Sequence, residues 1–430
     1  MFEEWFDLTA RGTTVQREIV AGVTTFCMMG YIMFVNPQVL AAAGMDTNAV
    51  FVATCLSTAI ATLLMGLYAK LPVALAPGVS LSTYFAYTVV PALNGDWRTA
   101  LGCAFVSGVL FVLITLTPLR EWLVNAIPRS LKLAIAAGIG FFLALIGLYS
   151  AGIVVPNAQT LVQPGLLTSP TVLVAAGTFV VIFALAVNRV TGAVLIGIVG
   201  ATAVSIALGL QYPPVIASAV PSLTPTFLAM QLETASPGGA VLSSILVFLL
   251  IEMLDTSGTL TALAYQGNLL NEKGRLPYAG RALTASALGT MAGAALGTSP
   301  VTAYIESSTG IQAGGRTGLT AIVVGLLFLA SLSMSPLIQA VPPYATGPAL
   351  IFVAALMVKG LKDIDWDDMS EAAPALLTAL AIPFTYSITT GIGIGFLSYV
   401  AIKIVSWRWR DLNFAVIVIA AAFAAKTVWA

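Results

Sequence analysis

Three carboxylates stand inside segments otherwise built for lipid: Glu252 and Asp255 in SSILVFLLIEMLDTSGTLTALA, and Glu306 in GTSPVTAYIESSTG. An ionisable side chain at membrane depth costs roughly 3 kcal/mol on insertion scales, so such groups usually face a cavity and bind something. Glu252 and Asp255 are three residues apart and share one helix face. Two acids in one apolar setting do not both ionise readily, which suits reversible protonation. The chain has no histidine, so these acids are the candidates for proton chemistry and for accepting hydrogen bonds from a ligand. No Lys or Arg lies within a central span to neutralise Asp255 or Glu306. Glu252 also fits a helix-packing or supporting role.

The segments that must position these acids are membrane spans. Of 430 residues, 59% are hydrophobic and only 8% charged, with mean hydropathy +0.98; soluble domains carry about 25% charged residues. Lys+Arg and Asp+Glu balance at 18 each, which gives no case for a nucleic-acid partner. Cys27, Cys55 and Cys103 sit in apolar stretches without metal-ligand spacing and read as small core residues, so neither metal nor cofactor is expected. Residues 1–18 carry Glu3, Glu4, Asp7, Arg11 and Arg17, unlike a cleavable signal peptide. Phe2, Trp5, Phe6 and Leu8 suit a segment lying along the interface.

A spanning helix needs roughly 20 apolar residues. Apolar runs and breakers place spans near 19–40, 49–69, 73–90, 99–117, 131–150, 170–187, 191–209, 240–264, 282–297, 300–312, 317–335, 344–361, 373–388 and 390–406. A further apolar stretch, 413–429, follows the basic aromatic patch Trp407-Arg408-Trp409-Arg410, and its crossing is left open. With the N-terminus inside, all but Arg98 and Lys426 of the 18 basic residues fall on the cytoplasmic side, as the positive-inside rule requires. Loops 151–169 and 211–239 are then external, lack Lys and Arg, and are rich in Pro, Ser and Thr. A bacterial inner membrane fits this economy of charge.

Spans three and ten are interrupted. Span three reads Pro72-Val-Ala-Leu-Ala-Pro77-Gly78-Val-Ser80-Leu-Ser82-Thr83-Tyr84, and span ten Gly297-Thr298-Ser299-Pro300-Val-Thr302-Ala-Tyr304-Ile305-Glu306. Pairing Tyr84 with Tyr304 superposes Ser82 on Thr302 and Phe85 on Ile305, and Ala126-Ile-Pro128 matches Ala340-Val-Pro342 with a similar offset. This order predicts seven-plus-seven repeats, inverted because seven is odd. Broken spans at matching positions point to a midplane binding site. The freed backbone groups need protein, water or ligand as partners, and a half-helix beyond each break aims its N–H groups at the gap. Two ordinary Pro-kinked packing helices are the plainer reading; the hydroxyls crowded at both breaks weigh against it.

Gly289, Gly293 and Gly297 predict close packing of helix nine. Gly391, Gly393 and Gly395 predict a tight turn between spans thirteen and fourteen. Asp363, Asp365, Asp367, Asp368 and Glu371 lack the glycine and terminal Glu of a calcium loop and read as a solvated face.

At these residues the chain resembles the AzgA-like purine permeases (hypoxanthine/adenine/guanine type) of the nucleobase–ascorbate transporter family, nearly end to end. The signatures are Gly22-Val-Thr-Thr-Phe26, Tyr31-Ile-Met-Phe-Val-Asn36-Pro37, Ala41-Ala-Ala-Gly-Met-Asp46, Ala74-Leu-Ala-Pro-Gly78 and Tyr84-Phe-Ala-Tyr-Thr-Val-Val90. The second half adds Leu254-Asp-Thr-Ser-Gly-Thr259, Thr302-Ala-Tyr-Ile-Glu-Ser-Ser308, Gly315-Arg-Thr-Gly-Leu-Thr320 and Asp365-Trp-Asp-Asp368. The resemblance implies an all-α polytopic inverted-repeat fold, with a short strand before a half-helix in spans three and ten. It further implies a core of spans 1–4 and 8–11 and a gate of spans 5–7 and 12–14. Asp255 and Glu306 match the family's nucleobase-contacting acids. Proton coupling, an elevator-like motion of core against gate and a homodimer are also implied. Related permeases typically read Pro-Gly-Met-Gly-Leu-Asn-Ala-Tyr in span three, where this chain has Ser80 for a Gly and Ser82 for an Asn.

The resulting expectation is uptake of a purine-type base, or another planar heterocycle or amide, with a proton; sodium is the alternative cation. Asp255 and Glu306 accept from the ring, while Ser80, Ser82 and the backbone at both breaks contact its other edge; Thr302 is a further substrate-binding candidate. Thr25 and Phe26 complete the substrate set. Phe26, Tyr31, Tyr84, Phe85 and Tyr304 are the candidates to stack on a ring face, though each fits a core role more readily. Asp255, Glu306 and Glu252 are the proton-coupling candidates. An anion exchanger or channel calls for Arg or Lys at the site, and none lies mid-span. An enzyme calls for a nucleophile motif or metal cluster, and none is present.

Overall fold

The computed structural model describes residues 5–117, 127–157, 159–213, 220–232, 239–267, 269, 276 and 278–429. Spans one, two, four, five and six are Val15–Ala41, Thr47–Ala69, Trp97–Thr115, Arg129–Ser150 and Pro170–Val187; span seven is Ala193–Ala207. Spans eight and nine are Gly239–Gln266 and Ala279–Leu296. Spans eleven to fourteen are Gly318–Met334, Pro343–Asp363, Met369–Phe384 and Ile388–Val405. A last helix, Phe414–Trp429, packs on span fourteen. Short polar side chains start many of these helices by accepting from a backbone N–H: Asp46, Asp96, Ser169, Thr317, Asp368 and Ser387. Span limits therefore follow the N-cap chemistry of the sequence.

The two interrupted spans supply a two-stranded ribbon. Span three runs β1 (Leu75–Pro77), then helix from Val79 to Ala92 with a wide turn at Phe85–Val89. A hairpin of β2 (Val154–Asn157) and β3 (Leu161–Pro164) follows span five. Span ten runs β4 (Val301–Ala303), then helix Ser307–Gln312. β1 and β4 pair antiparallel, Leu75 with Ala303, Ala76 with Thr302 and Pro77 with Val301. The register corrects the sequence pairing: the strands begin at Leu75 and Val301, about six residues out of step with Tyr84–Tyr304. Span three turns helical directly after Gly78, whereas residues 304–306 delay the half-helix of span ten. Ser82 is thus helical and Thr302 extended.

Span five packs on spans twelve and thirteen, and thirteen on fourteen; nine packs on two and four, and eleven on one and two. Five and twelve meet backbone to backbone, since a Cβ on Gly147 would stand 2.7 Å from the Gly347 carbonyl. Gly289 faces Ala61 with no room for a side chain, as expected of helix nine. Gly391, Gly393 and Gly395 are not a turn; they lie in span fourteen, with Gly391 and Gly395 against Ile382 and Thr378 of span thirteen. Small residues at helical spacing allow close approach as readily as a bend.

One end of the bundle carries the β2–β3 hairpin; the other carries Lys70, Arg129 and the 359–368 loop and is called here the basic face. The acidic loop there is only partly solvated. Asp365 and Asp367 are exposed. Lys403, 1% exposed, pairs with Glu371 at 2.7 Å and Asp411 at 3.2 Å. Tyr399 donates to Glu371 at 3.0 Å. Phe6 and Leu8 are buried against Leu319 rather than spread at an interface, while Trp5 stays exposed. Phe2, Arg120, Ala126, Lys273 and Arg275 lie outside the described residues.

Candidate functional site

The β1–β4 ribbon is the frame of the site. A strand pair inside a helical bundle leaves outer edges unpaired, and buried unpaired amides are costly. Hydroxyls fill both edges. Thr62 accepts from Leu75 N at 3.0 Å and donates to Leu75 O at 2.8 Å. On the far side Thr290 accepts from Val301 N at 2.9 Å, and Ser286 donates to Val301 O at 3.0 Å. Gly78 N donates to Pro300 O and Tyr304 N to Ala74 O, each at 3.0 Å, extending the ladder. Tyr304 Oη donates to Pro77 O at 2.6 Å.

Against this frame the structure gathers four of the expected residues. Asp255 on span eight stands beside Thr302 and Ser80 and near Glu306. Glu306 sits in the turn after β4 and accepts from Tyr31 Oη at 2.8 Å. Asp255 and Glu306 are half-buried; Glu252, one turn earlier, is fully enclosed. The arrangement offers two acceptors and two hydroxyls around the break, the complement of a neutral ring bearing several N–H groups.

The other expected residues are placed nearby with different partners. Ser82 is fully buried; its hydroxyl meets Asn36 Oδ1 at 2.6 Å, Ser299 Oγ at 2.7 Å and Gly78 O at 2.9 Å. Thr25 is buried where Gly310 crosses it, and its hydroxyl has no hydrogen-bond partner among the described residues. Phe26 is half-buried, edge-on to Phe328 at 5.2 Å. Glu252 Oε1 accepts from Thr290 at 2.6 Å, and its Oε2 has no partner among the described residues.

Two polar residues that the sequence did not single out hold the site together. Asn36 donates to Thr54 at 2.7 Å and to Thr298 at 2.8 Å while accepting from Ser82. One buried amide thereby joins spans one and two to both breaks. The signal was a polar residue before Pro37 in an apolar helix. Glu18, fully buried, accepts from Arg316 N at 2.8 Å, Thr320 N at 3.2 Å and Thr320 Oγ1 at 2.6 Å. It neutralises the N-terminal donors of span eleven at the Gly315–Thr320 signature.

Comparison with known proteins agrees with this fold and chain length. The permease family model matches residues 16–394. The adenine permease AdeQ of Escherichia coli (strain K12) is 45% identical over 98% of this chain and 95% of its own. The guanine/hypoxanthine permease PbuO of Bacillus subtilis (strain 168) is 41% identical over 97% and 98%. Among solved structures, the transmembrane domain of the cyanobacterial bicarbonate transporter BicA superposes with TM-score 0.67 at 16% identity, covering 87% of this chain and 96% of that one. The chain therefore has the seven-plus-seven inverted-repeat fold, and it belongs to the permease family of nucleobase–ascorbate transporters.

Proposed function

We propose that this multi-pass membrane protein is a secondary transporter that imports a purine-type nucleobase with a proton. The observation that carries the reading is the meeting of Asp255, Glu306, Ser80 and Thr302 at the β1–β4 break. Its relatives are named for adenine, guanine and hypoxanthine, neutral planar bases whose ring N–H groups suit two carboxylates. The basic face is assigned to the cytoplasm, with the N-terminus inside. Spans 1–4 and 8–11 form the core and spans 5–7 and 12–14 the gate; elevator-like motion of one against the other exposes the site to either side. A homodimer in a bacterial inner membrane completes the proposal.

Proton coupling draws on Asp255, Glu306 and Glu252. Thr290 has one hydroxyl proton yet faces two acceptors, Glu252 Oε1 and Val301 O. A proton on Glu252 satisfies both, because Glu252 can then donate to Thr290 and Thr290 to Val301 O. Protonated acids also lower the cost of moving the loaded core through the bilayer.

The test is uptake of labelled adenine, guanine and hypoxanthine into proteoliposomes under an imposed proton gradient. Saturable, gradient-dependent uptake of one of them is expected, falling at least tenfold in Asp255→Asn and in Glu306→Gln. Full gradient-driven uptake by Asp255→Asn would overturn the site. Uptake only of a non-purine heterocycle would move the substrate class.

A further inference from the structure

A cavity of about 410 Å³ opens at the hairpin end of the bundle, away from Asp255 and Glu306. Its polar lining is Gln38, Thr47, Asn48, Ser150 and Thr346, beside the ring of Tyr87, and no charged residue lines it among the described residues. Two carboxamides, three hydroxyls and an aromatic ring bind a neutral planar molecule better than an ion. Carboxamides pair with the adjacent donor and acceptor of a base edge, and a tyrosine ring packs on its face or edge.

Gln38 is already held in place. Its Nε2 donates to Val341 O at 2.9 Å, and Thr346 Oγ1 donates to its Oε1. A carboxamide has two donors and two acceptor lone pairs, so one of each remains by valence. Gln38 stands seven residues past Tyr31 on span one, about 10 Å along the helix. Tyr31 in turn bonds Glu306. Tyr87 also meets Phe142 and Tyr386 edge-on at 6.2 and 6.0 Å, so it is part of an aromatic cluster.

The walls come from two groups of spans. Gln38, Thr47, Asn48 and Tyr87 belong to spans one, two and three; Ser150 and Thr346 belong to spans five and twelve. A ligand that touches both walls must be released before one group can slide past the other.

We propose that this cavity is a second, outer binding site for a neutral planar base, and that its occupant bridges core and gate and slows transport. The ligand class and the two moving bodies rest on the nucleobase-transporter reading. Uptake should accordingly show substrate inhibition at high external base.

Equilibrium binding of labelled adenine, guanine and hypoxanthine to purified, monodisperse protein tests it. Wild type should bind one of them at two sites. The Asp255→Asn/Glu306→Gln variant should retain one. Adding Gln38→Ala and Asn48→Ala should weaken that remaining site about tenfold or more. Ser150→Trp, which adds bulk to the cavity wall without removing a polar anchor from span one, should block it and abolish the inhibition of uptake. If the folded Asp255→Asn/Glu306→Gln variant binds no base, the outer site is wrong and the central site stands. If a second site persists unchanged in the Gln38, Asn48 and Ser150 variants, this cavity does not hold it. If wild type binds none of the three bases, the substrate reading and the outer site both fall.

Discussion

Tyr31 of span one donates its hydroxyl to Glu306 of span ten across 2.8 Å. The donor stands just beyond Gly30, where span one is itself interrupted between helices Val15–Met29 and Ile32–Ala41. Span one thus orients a carboxylate on another span, the one proposed above to meet the transported base. A hydrogen bond to a charged group is worth about 1.5–3 kcal/mol. Tyr31→Phe is expected to raise KM for the transported base about tenfold while the folded protein melts within a few degrees of wild type. An unchanged KM would remove Tyr31 from the positioning of Glu306.

Asn36 and Ser82 are coupled. Removing Asn36 leaves the Ser82 hydroxyl to Ser299 and Gly78, and removing Ser82 leaves Asn36 Oδ1 only a 3.4 Å contact with Ser299. The lost short bond is worth about 1–3 kcal/mol. Asn36→Ala and Ser82→Ala should each destabilise the protein, and the double variant should cost clearly less than the sum. Thermal melts of the four proteins give the cycle. Strict additivity would mean that the 2.6 Å contact contributes nothing.

Glu18 accepts four bonds from the start of span eleven, and its removal leaves that helix end with the Thr317 cap alone among the described residues. Glu18→Ala should cost roughly 2–4 kcal/mol, more than an ordinary N-cap because the site is buried. Glu18→Gln keeps the shape and one acceptor and should cost less. The ranking wild type, Gln, Ala in melting temperature is the expected outcome; equal melts for Ala and wild type would refute the role.

Asp368 caps span thirteen and binds Arg408 at 2.6 Å. Hydrogen bonds from Ser370 and then Arg408 hold its carboxyl down at about 2, against about 3.9 for a free aspartate. A depressed acid stabilises the folded form above its unfolded value, and that contribution is lost as pH falls through the folded one. The window is therefore about pH 4 to 2, with Arg408 charged throughout. In a variant keeping only Trp407 and Trp409, fluorescence should change across that window. Asp368→Asn at pH 7 should speed tryptic cleavage after Arg408. A flat fluorescence titration, or cleavage unaltered by the substitution, would detach the 407–411 segment from Asp368.

The spans were readable because hydropathy, caps and prolines act locally, and the acids were readable because an apolar context makes a carboxylate conspicuous. The ribbon's register was not. Three residues on each side carry no pairing signal, and the repeated Tyr and hydroxyl spacing around Tyr84 and Tyr304 matched side chains rather than backbone roles. Gly391 was misread since glycine serves bends and close crossings alike. Glu371 looked solvated because its partner Lys403 stands 32 residues away in sequence. Asn36 lay in plain view within a signature, but its role exists only where four spans converge. The carboxylates of the candidate site were legible; the side chains bonded to them were not.

The ribbon has a consequence for how the chain is made. Leu75–Pro77 finds its partner only when Val301–Ala303 has left the ribosome. At about 5–20 residues per second, that is a delay of roughly 10–45 s. Until then one edge of β1 has no strand beside it, in a bilayer that offers no water to replace one. The first seven spans, expressed alone, should accumulate poorly and be rescued by co-expression of the second seven, because the two halves complete each other's backbone.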